Sequence, residues 1–490
     1  MQPQIALLTP EIIGRILDEA YKLLLNPGIK VQSSEARQLL SDVGACVDET
    51  KQVVHIPARI IDNTLKTVPR SFTLFDRLGN PCVHYGGNEV HFDPGSSGVH
   101  VLDPNTLEHR PSTTPDLIRL VKVAEMLPQY EAQSTAVVCH DVPKEISDFY
   151  RLYIVLLFSN KPIVTGAFGI STLHTMLELM SIVANGHQAL IEKPQAIFDV
   201  CPSPPLIWSE FGANNLIELA RYSIPAQIIS MPLAGATSPV TLIGSIVQHA
   251  AEILSGIAIH QLASPSSPVV WGGAPAVFDM RKGTTPMGAV ETAMIDIAYA
   301  QTGKFLGLPT HTYLGASDAK IVDAQSGMES GISIILGALA GINMISGAGM
   351  LDFLACQSAE KLVVDAEAIA MAKRLLDGIH MHSDILATSF YEGIDFKGNF
   401  LKQKITRQLF AQEQYLPSAV IDRDSIRGWN EAGSLDTFAR ARLRAEQLLG
   451  SYTHPIHDST LINSLKERVT SLAREVGMDR LPQIVEDEHG

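Results

Sequence analysis

Apolar residues recur at helical spacing over 10–25, where Ile12, Ile13, Ile16, Leu17, Ala20, Leu23 and Leu24 share one face. The stretch stops at Asn26-Pro27-Gly28. Shorter helical patterns follow at 34–43 and 57–68, then strand-like pieces at 71–76, 89–93 and 98–103. Gly86-Gly87 and Pro94-Gly95-Ser96-Ser97-Gly98 punctuate them, so 1–113 reads as a small α+β cap with hairpins. From Thr114 the rhythm becomes an alternation. A helix at 116–127 precedes candidate strands at 132–139, 162–167, 196–201, 226–231, 268–271, 309–314, 343–346 and 398–401. Helical patterns at 145–158, 173–184, 209–220, 242–260, 289–302, 328–339 and 359–376 separate or follow them. The strands are nearly continuous apolar runs, as in parallel sheets covered on both faces. The expected fold class is α/β, a (β/α)8 TIM barrel over 114–415 with that N-terminal cap and a charged helical extension over 416–490.

Two stretches qualify this picture. The helix over 242–261 carries only a narrow polar stripe, including Ser245, Gln248, His249, Glu252 and Ser255, so it should press on the barrel or on a neighbouring subunit. Residues 331–351 contain no charge and are long enough to span a bilayer. Their five glycines and Asn343 favour instead a buried helix, a turn and a buried strand.

Of the 490 residues, 46% are hydrophobic and 18% charged. A typical soluble domain has about 25% charged residues, so one large core with oligomer contacts is expected and disorder is excluded. The net charge of −15 argues against a nucleic-acid partner. Five widely spaced cysteines without a Cys-x-x-Cys pair favour neither a disulfide framework nor a zinc ribbon. With no secretory pattern in 1–30, a cytoplasmic location is expected.

In such a barrel the chemistry belongs on loops after the strands. Those loops, among them Gly166-Ala167-Phe168-Gly169, Trp271-Gly272-Gly273-Ala274-Pro275 and Gly347-Ala348-Gly349, are rich in Gly, Ala and Pro. Singly they are tight turns. Together they suggest a wide, mostly apolar cavity. Phe168, Trp208, Trp271, Phe278, Tyr313 and Phe353 lie near the strand ends. Each alone suits core packing, but several around one pocket would hold a quaternary ammonium ion. The densest polar cluster is Ser317-Asp318-Ala319-Lys320, Asp323-Ala324-Gln325 and Glu329. It suits a functional site, or a loop salt bridge with Asp323 as an N-cap. Gly347-x-Gly349 lacks the third glycine of a dinucleotide site. His380-x-His382 follows a helix end and is a poor metal pair, and no metal site is expected. The Asp-x-His-x-x-Gly pattern of cobalamin-binding modules is absent.

The run Ser317-Asp318-Ala319-Lys320…Asp323-Ala324-Gln325…Gly327-x-Glu329 resembles the trimethylamine methyltransferase superfamily, as do Leu339-Ala340-Gly341…Gly347-Ala348-Gly349-Met350-Leu351 and Leu362-Val363-Val364-Asp365-Ala366-Glu367. The opening segment, with Asp18-Glu19-Ala20 and Gly28-Ile29-Lys30-Val31, fits too, so the likeness covers nearly the whole chain. It implies a (β/α)8 barrel that passes a methyl group to a separate corrinoid protein, the cobalamin arriving on that partner. Trimethylamine-using members carry pyrrolysine, expected here within 350–355, and none is present. The resemblance therefore points to the non-pyrrolysine branch and to a quaternary amine, a betaine and foremost glycine betaine. Its nitrogen is already cationic and leaves as a neutral amine. On that reading Asp318, Glu329 and Asp352 are the candidate catalytic anions or orienters. Phe168, Trp271, Tyr313 and Phe353 are the candidate cage walls. Arg407 or backbone N–H groups would take a substrate carboxylate. The alternatives are a metal- or Schiff-base-dependent enzyme using Lys320, and a non-catalytic betaine-binding barrel.

Overall fold

The computed structural model describes residues 3–382, 386–393, 396, 400–455 and 458–484. Eight parallel strands organise it. They are β1 His91–Pro94, β2 Gln133–Ser134, β3 Ile163–Gly166, β4 Ala196–Val200, β5 Ala226–Ser230, β6 Val269–Gly273, β7 His311–Thr312 and β8 Met344–Ala348. Strands β2 to β6 form one five-stranded sheet in sequence order. Strands β7, β8 and β1 form a second sheet. A parallel bridge between Trp271 and Thr310 joins β6 to β7. On the other side, Glu131 N–H donates to the Phe92 carbonyl at 3.0 Å, and Gly98 bridges Val137.

The expected strands from 132 to 346 are all present, most of them shorter than their apolar runs. The expected strand at 398–401 lies partly outside the described residues, at Gly398 and Asn399, and Phe400–Lys402 is a short 3-10 turn. The place beside β8 is taken by His91–Pro94, which the local pattern assigns to the cap. Its partner is some 250 residues away in sequence (Phe92 pairs with Ile345), and short-range periodicity carries no information about such a pairing.

Side chains alternate along each strand, and the enclosed space is layered accordingly. At the amino-terminal ends, Ala132, Val164, Ile197, Val270 and Met344 pack together. The hairpin Phe72–Phe75/Pro81–Tyr85 seals this end with Leu74, Val83 and Tyr85, all fully buried. One step further along the strands the inward residues turn polar or small.

The Leu242–Ala263 helix is, among the described residues, the one long and apolar enough to cross a membrane. Seventeen of its 22 residues are buried. One side packs on β5 and β6, and the other is covered by the Pro10–Leu25 and Ala58–Leu65 helices. The chain's own N-terminal segment thus supplies a cover that a neighbouring subunit could equally have provided. The polar stripe is spent internally: Glu252 accepts from Ser230 Oγ and Leu206 N–H, and Ser255 accepts from the Trp208 indole. The uncharged 331–351 stretch resolves into the end of the Ala324–Leu339 helix, a turn and β8. In the tail, the Thr437–Gly450 helix lies on the Thr114–Glu125 and Ala359–Asp377 helices. The Ser459–Glu475 helix lies on Ser147–Phe158 and Ile170–Val183.

Candidate functional site

Above the apolar layer, Asp199 of β4 accepts hydrogen bonds from Gln227 Nε2 of β5 at 2.8 Å and from the Tyr313 hydroxyl at 3.0 Å. Tyr313 follows directly on β7. Its oxygen lies 3.0 Å from Ser96 Oγ, on the loop after β1. Burial pushes the Asp199 carboxyl up to about 7, against the opposing effect of its two donors. Burial and the nearby Asp199 charge likewise raise Tyr313. Asp199, Cys201, Tyr313 and Ser96 lie deep between the sheets, yet each keeps some accessible surface. Ile229, Ala274, Ala276, Met287, Ala316 and Met350 form an apolar cluster against which Cys201 and Tyr313 pack. The inward position Gly272 is closely packed: a side chain there would strike the Ile228 carbonyl and His311.

A second polar line runs beside the first. Ser346 of β8 donates to Asp93 of β1 and lies 3.0 Å from His311 Nε2 of β7. Asp93 Oδ2 and His311 Nδ1 have no protein partner. Burial raises Asp93 well above the usual carboxylate range and lowers His311 to about 3.

The Ser317–Glu329 cluster is brought together, chiefly by tying loops. Glu329 accepts from Ser317 Oγ at 2.6 Å and from the Asp318 N–H at 2.8 Å. Asp318 in turn accepts from the N–H groups of Met287 and Gly288. Burial raises Asp318, partly offset by those two bonds. Asp323 is an N-cap, with Ser326 completing a reciprocal capping box. Lys320 pairs with the Asp352 carboxylate at 3.1 Å and donates to the Asp318 backbone carbonyl at 2.6 Å, and its ammonium lies 3.9 Å from the Phe353 ring centre. Asp352, Phe353 and Leu354 run consecutively at φ 49°, 57° and 71°, a left-handed turn without a glycine.

The remaining expected residues scatter. Phe168 stands at the rim after β3, 57% exposed. Trp271 points away from the enclosed space: it is fully buried against Gly303 of the Val290–Phe305 helix, and its neighbour in the ring contacts is His249. Trp208 packs similarly against Gly256. Arg407 is exposed on the Lys404–Glu413 helix of the tail, apart from the strand ends. His382 pairs with Glu413. Among the described residues, no three His, Cys, Asp or Glu side chains converge as metal ligands would.

A layered α/β fold with the carboxylates Asp199 and Asp93 beyond its apolar layer matches known proteins. The family model for trimethylamine methyltransferase (MTTB) matches residues 1–477. The chain belongs to the trimethylamine methyltransferase family. It is a methyltransferase. Trimethylamine methyltransferase MttB of Desulfitobacterium hafniense is 30% identical over 454 residues, 92% of this chain and 91% of that protein. Glycine betaine methyltransferase of the same species is 29% identical over 479 residues, 97% of this chain and 98% of that one. Among solved structures, the monomethylamine methyltransferase of Methanosarcina barkeri has a TM-score of 0.52 at 12% identity, covering 91% of this chain and 89% of that one; the likeness is one of fold.

Within this family framework, a buried tie holds the loops after β7 and β8. Lys361 donates to Ser330 Oγ at 2.6 Å and to Asp365 at 2.6 Å, and Asp365 accepts from the Gly349 N–H at 2.8 Å. Asp365 belongs to the Leu362–Glu367 run that carried the resemblance. Local pattern reading passes over Asp93, Asp199, Gln227 and His311. A signal for Asp199 and Gln227 was nonetheless present: a polar residue inside an otherwise apolar strand with both faces covered is costly to bury without a purpose.

Proposed function

We propose that the two sheets form one (β/α)8 barrel and that its cavity binds a quaternary amine, a betaine such as glycine betaine, for methyl transfer to a corrinoid protein. The observation that carries this reading is the Asp199–Tyr313 pair, a carboxylate held beside an aromatic ring, with Tyr313 packed against apolar and small side chains. A quaternary ammonium has no N–H to donate. It therefore seeks a ring face, a diffuse negative charge and freedom from water. Asp199 supplies the charge, and Gln227 and Tyr313 disperse it through their hydrogen bonds. Dispersal suits the reaction, because the nitrogen loses its positive charge as the methyl group leaves. A tight ground-state ion pair would have to be broken at the transition state.

A reduced corrinoid, brought by a partner protein, supplies the electron pair that takes the methyl group. When the C–N bond breaks, its electron pair stays on nitrogen and the product is a neutral tertiary amine. This chain's part is to hold the cation, aim one methyl group toward the carboxyl-terminal mouth and exclude water. Phe168, Met231 and Met280 follow β3, β5 and β6 and stand 57%, 41% and 73% exposed. Such an apolar rim suits the edge of a partner-borne macrocycle. The Schiff-base alternative gains no support, since Lys320 is exposed and paired with Asp352.

The test is incubation with free Co(I) cobalamin and a panel of quaternary amines. Methylcobalamin absorbance is expected with at least one of them. A folded protein that yields none with any, or that binds betaines without demethylating them, overturns the reading.

A further inference from the structure

Arg151 has no part in the reading above. It rises from the Ser147–Phe158 helix and is fully buried. One terminal nitrogen donates to Ser97 Oγ at 3.0 Å and to the Thr135 carbonyl at 3.2 Å. Its Nε and its other terminal nitrogen have no hydrogen-bond partner. The nearest carboxylate, Asp148, stands 4.0 Å off, and its other oxygen is occupied by the Phe168 N–H and the Thr172 hydroxyl. The Phe168 ring covers the guanidinium at 5.0 Å. A positive charge is thus stored at the strand ends with incomplete neutralisation. Its outlet is Ser97.

Ser97 keeps accessible surface and sits at φ 60°, a conformation that favours glycine. A serine held there at some cost in strain, with a guanidinium behind its oxygen, is a polarised O–H donor. Its Oγ accepts from Arg151, which leaves the hydroxyl proton for another acceptor. The preceding residue, Ser96, touches Tyr313 and through it Asp199. Neighbouring serines of the loop after β1 thus lead to opposite charges, Ser97 directly to Arg151 and Ser96 through the Tyr313 hydroxyl to Asp199.

We infer that Ser97, backed by Arg151, receives the carboxylate of a zwitterionic substrate whose quaternary nitrogen lies against Asp199 and Tyr313. The inference rests on the proposed function and makes Arg151 a specificity-determining residue, acting through Ser97. A site with an anion-receiving hydroxyl and a cation-receiving carboxylate favours a substrate that carries both charges and disfavours amines without an acid group.

The experiment compares glycine betaine with tetramethylammonium, by calorimetric binding and by methyl transfer to free Co(I) cobalamin. It uses wild type, Ser97→Gly and Arg151→Lys. Glycine relieves the backbone at 97, so Ser97→Gly removes the hydroxyl without added strain and carries the test alone if Arg151→Lys fails to fold. Wild type should prefer the zwitterion, and both variants should cut that preference by about 10- to 100-fold, the usual effect of losing a charge-assisted hydrogen bond. A preference unchanged within about twofold, or a wild type that favours tetramethylammonium, overturns the inference while leaving the cation site standing. A wild type that binds neither compound sinks the cation site itself.

Discussion

The two ends of the parallel strands face opposite duties two residues apart. At the amino-terminal end Val164, Ile197, Val270 and Met344 meet the hairpin residues Leu74 and Val83 in a sealed apolar layer. At the next inward position the same strands present Gly166, Asp199, Gly272 and Ser346. Since inward positions recur every second residue, one strand can carry cohesion at one position and recognition at the next. The lesson is that stability and function here are divided by depth along the strand rather than by segment of the chain.

Asp199→Asn should have the largest effect if this division holds. Methyl transfer from a quaternary amine should fall about 100- to 1,000-fold, because the Asp199 charge offered to the cation is lost. Global stability at pH 8 should rise. Burial raises the folded-state pKa of Asp199, so its favourable contribution is complete below about pH 4 and disappears as pH climbs through about 7. Melting temperatures across that range settle the point: wild type should lose stability between pH 4 and 7 where the variant does not. A variant that is active, or less stable at pH 8, breaks the comparison.

The converse substitution lies in the sealed layer. Leu74→Ala should cost about 2–5 kcal/mol in chemical denaturation, as buried leucines usually do. The affinity of the folded protein for a quaternary amine should change far less. Equal losses in stability and affinity would mean the layers are not independent.

The smallest effect concerns pH. Cation binding requires ionised Asp199, so affinity should weaken as pH drops below about 7 and level off above it. Tyr313→Phe removes a donor that favours the ionised form, and the midpoint should move upward. Calorimetry over pH 5.5–8.5 measures both. A midpoint that stays in place would detach Tyr313 from Asp199.

Much of the architecture was legible from local pattern. The Pro10–Leu25 helix, the Asp323 cap, the strand–helix alternation after Thr114 and the helix–turn–strand of 331–351 all follow from periodicity and turn chemistry. The site was less so. Ser317 to Glu329 drew attention because its charges are close in sequence, yet Asp318 binds loop backbone and Glu329 binds Ser317, Gln325 and the Asp318 N–H within the same cluster. Tyr313 was found among the aromatics, whereas Trp271, one of the same group, faces the helices.

The sequence by itself determined the α/β class, most of the elements and the family, because alternation, capping and motif spacing are local properties. Only the tertiary structure decided that His91–Pro94 completes the second sheet and that Asp199, Gln227, Tyr313 and Ser96 meet. Their partners lie tens to hundreds of residues apart, and whether a polar residue is a surface group or a cavity wall depends on which face of its strand is enclosed.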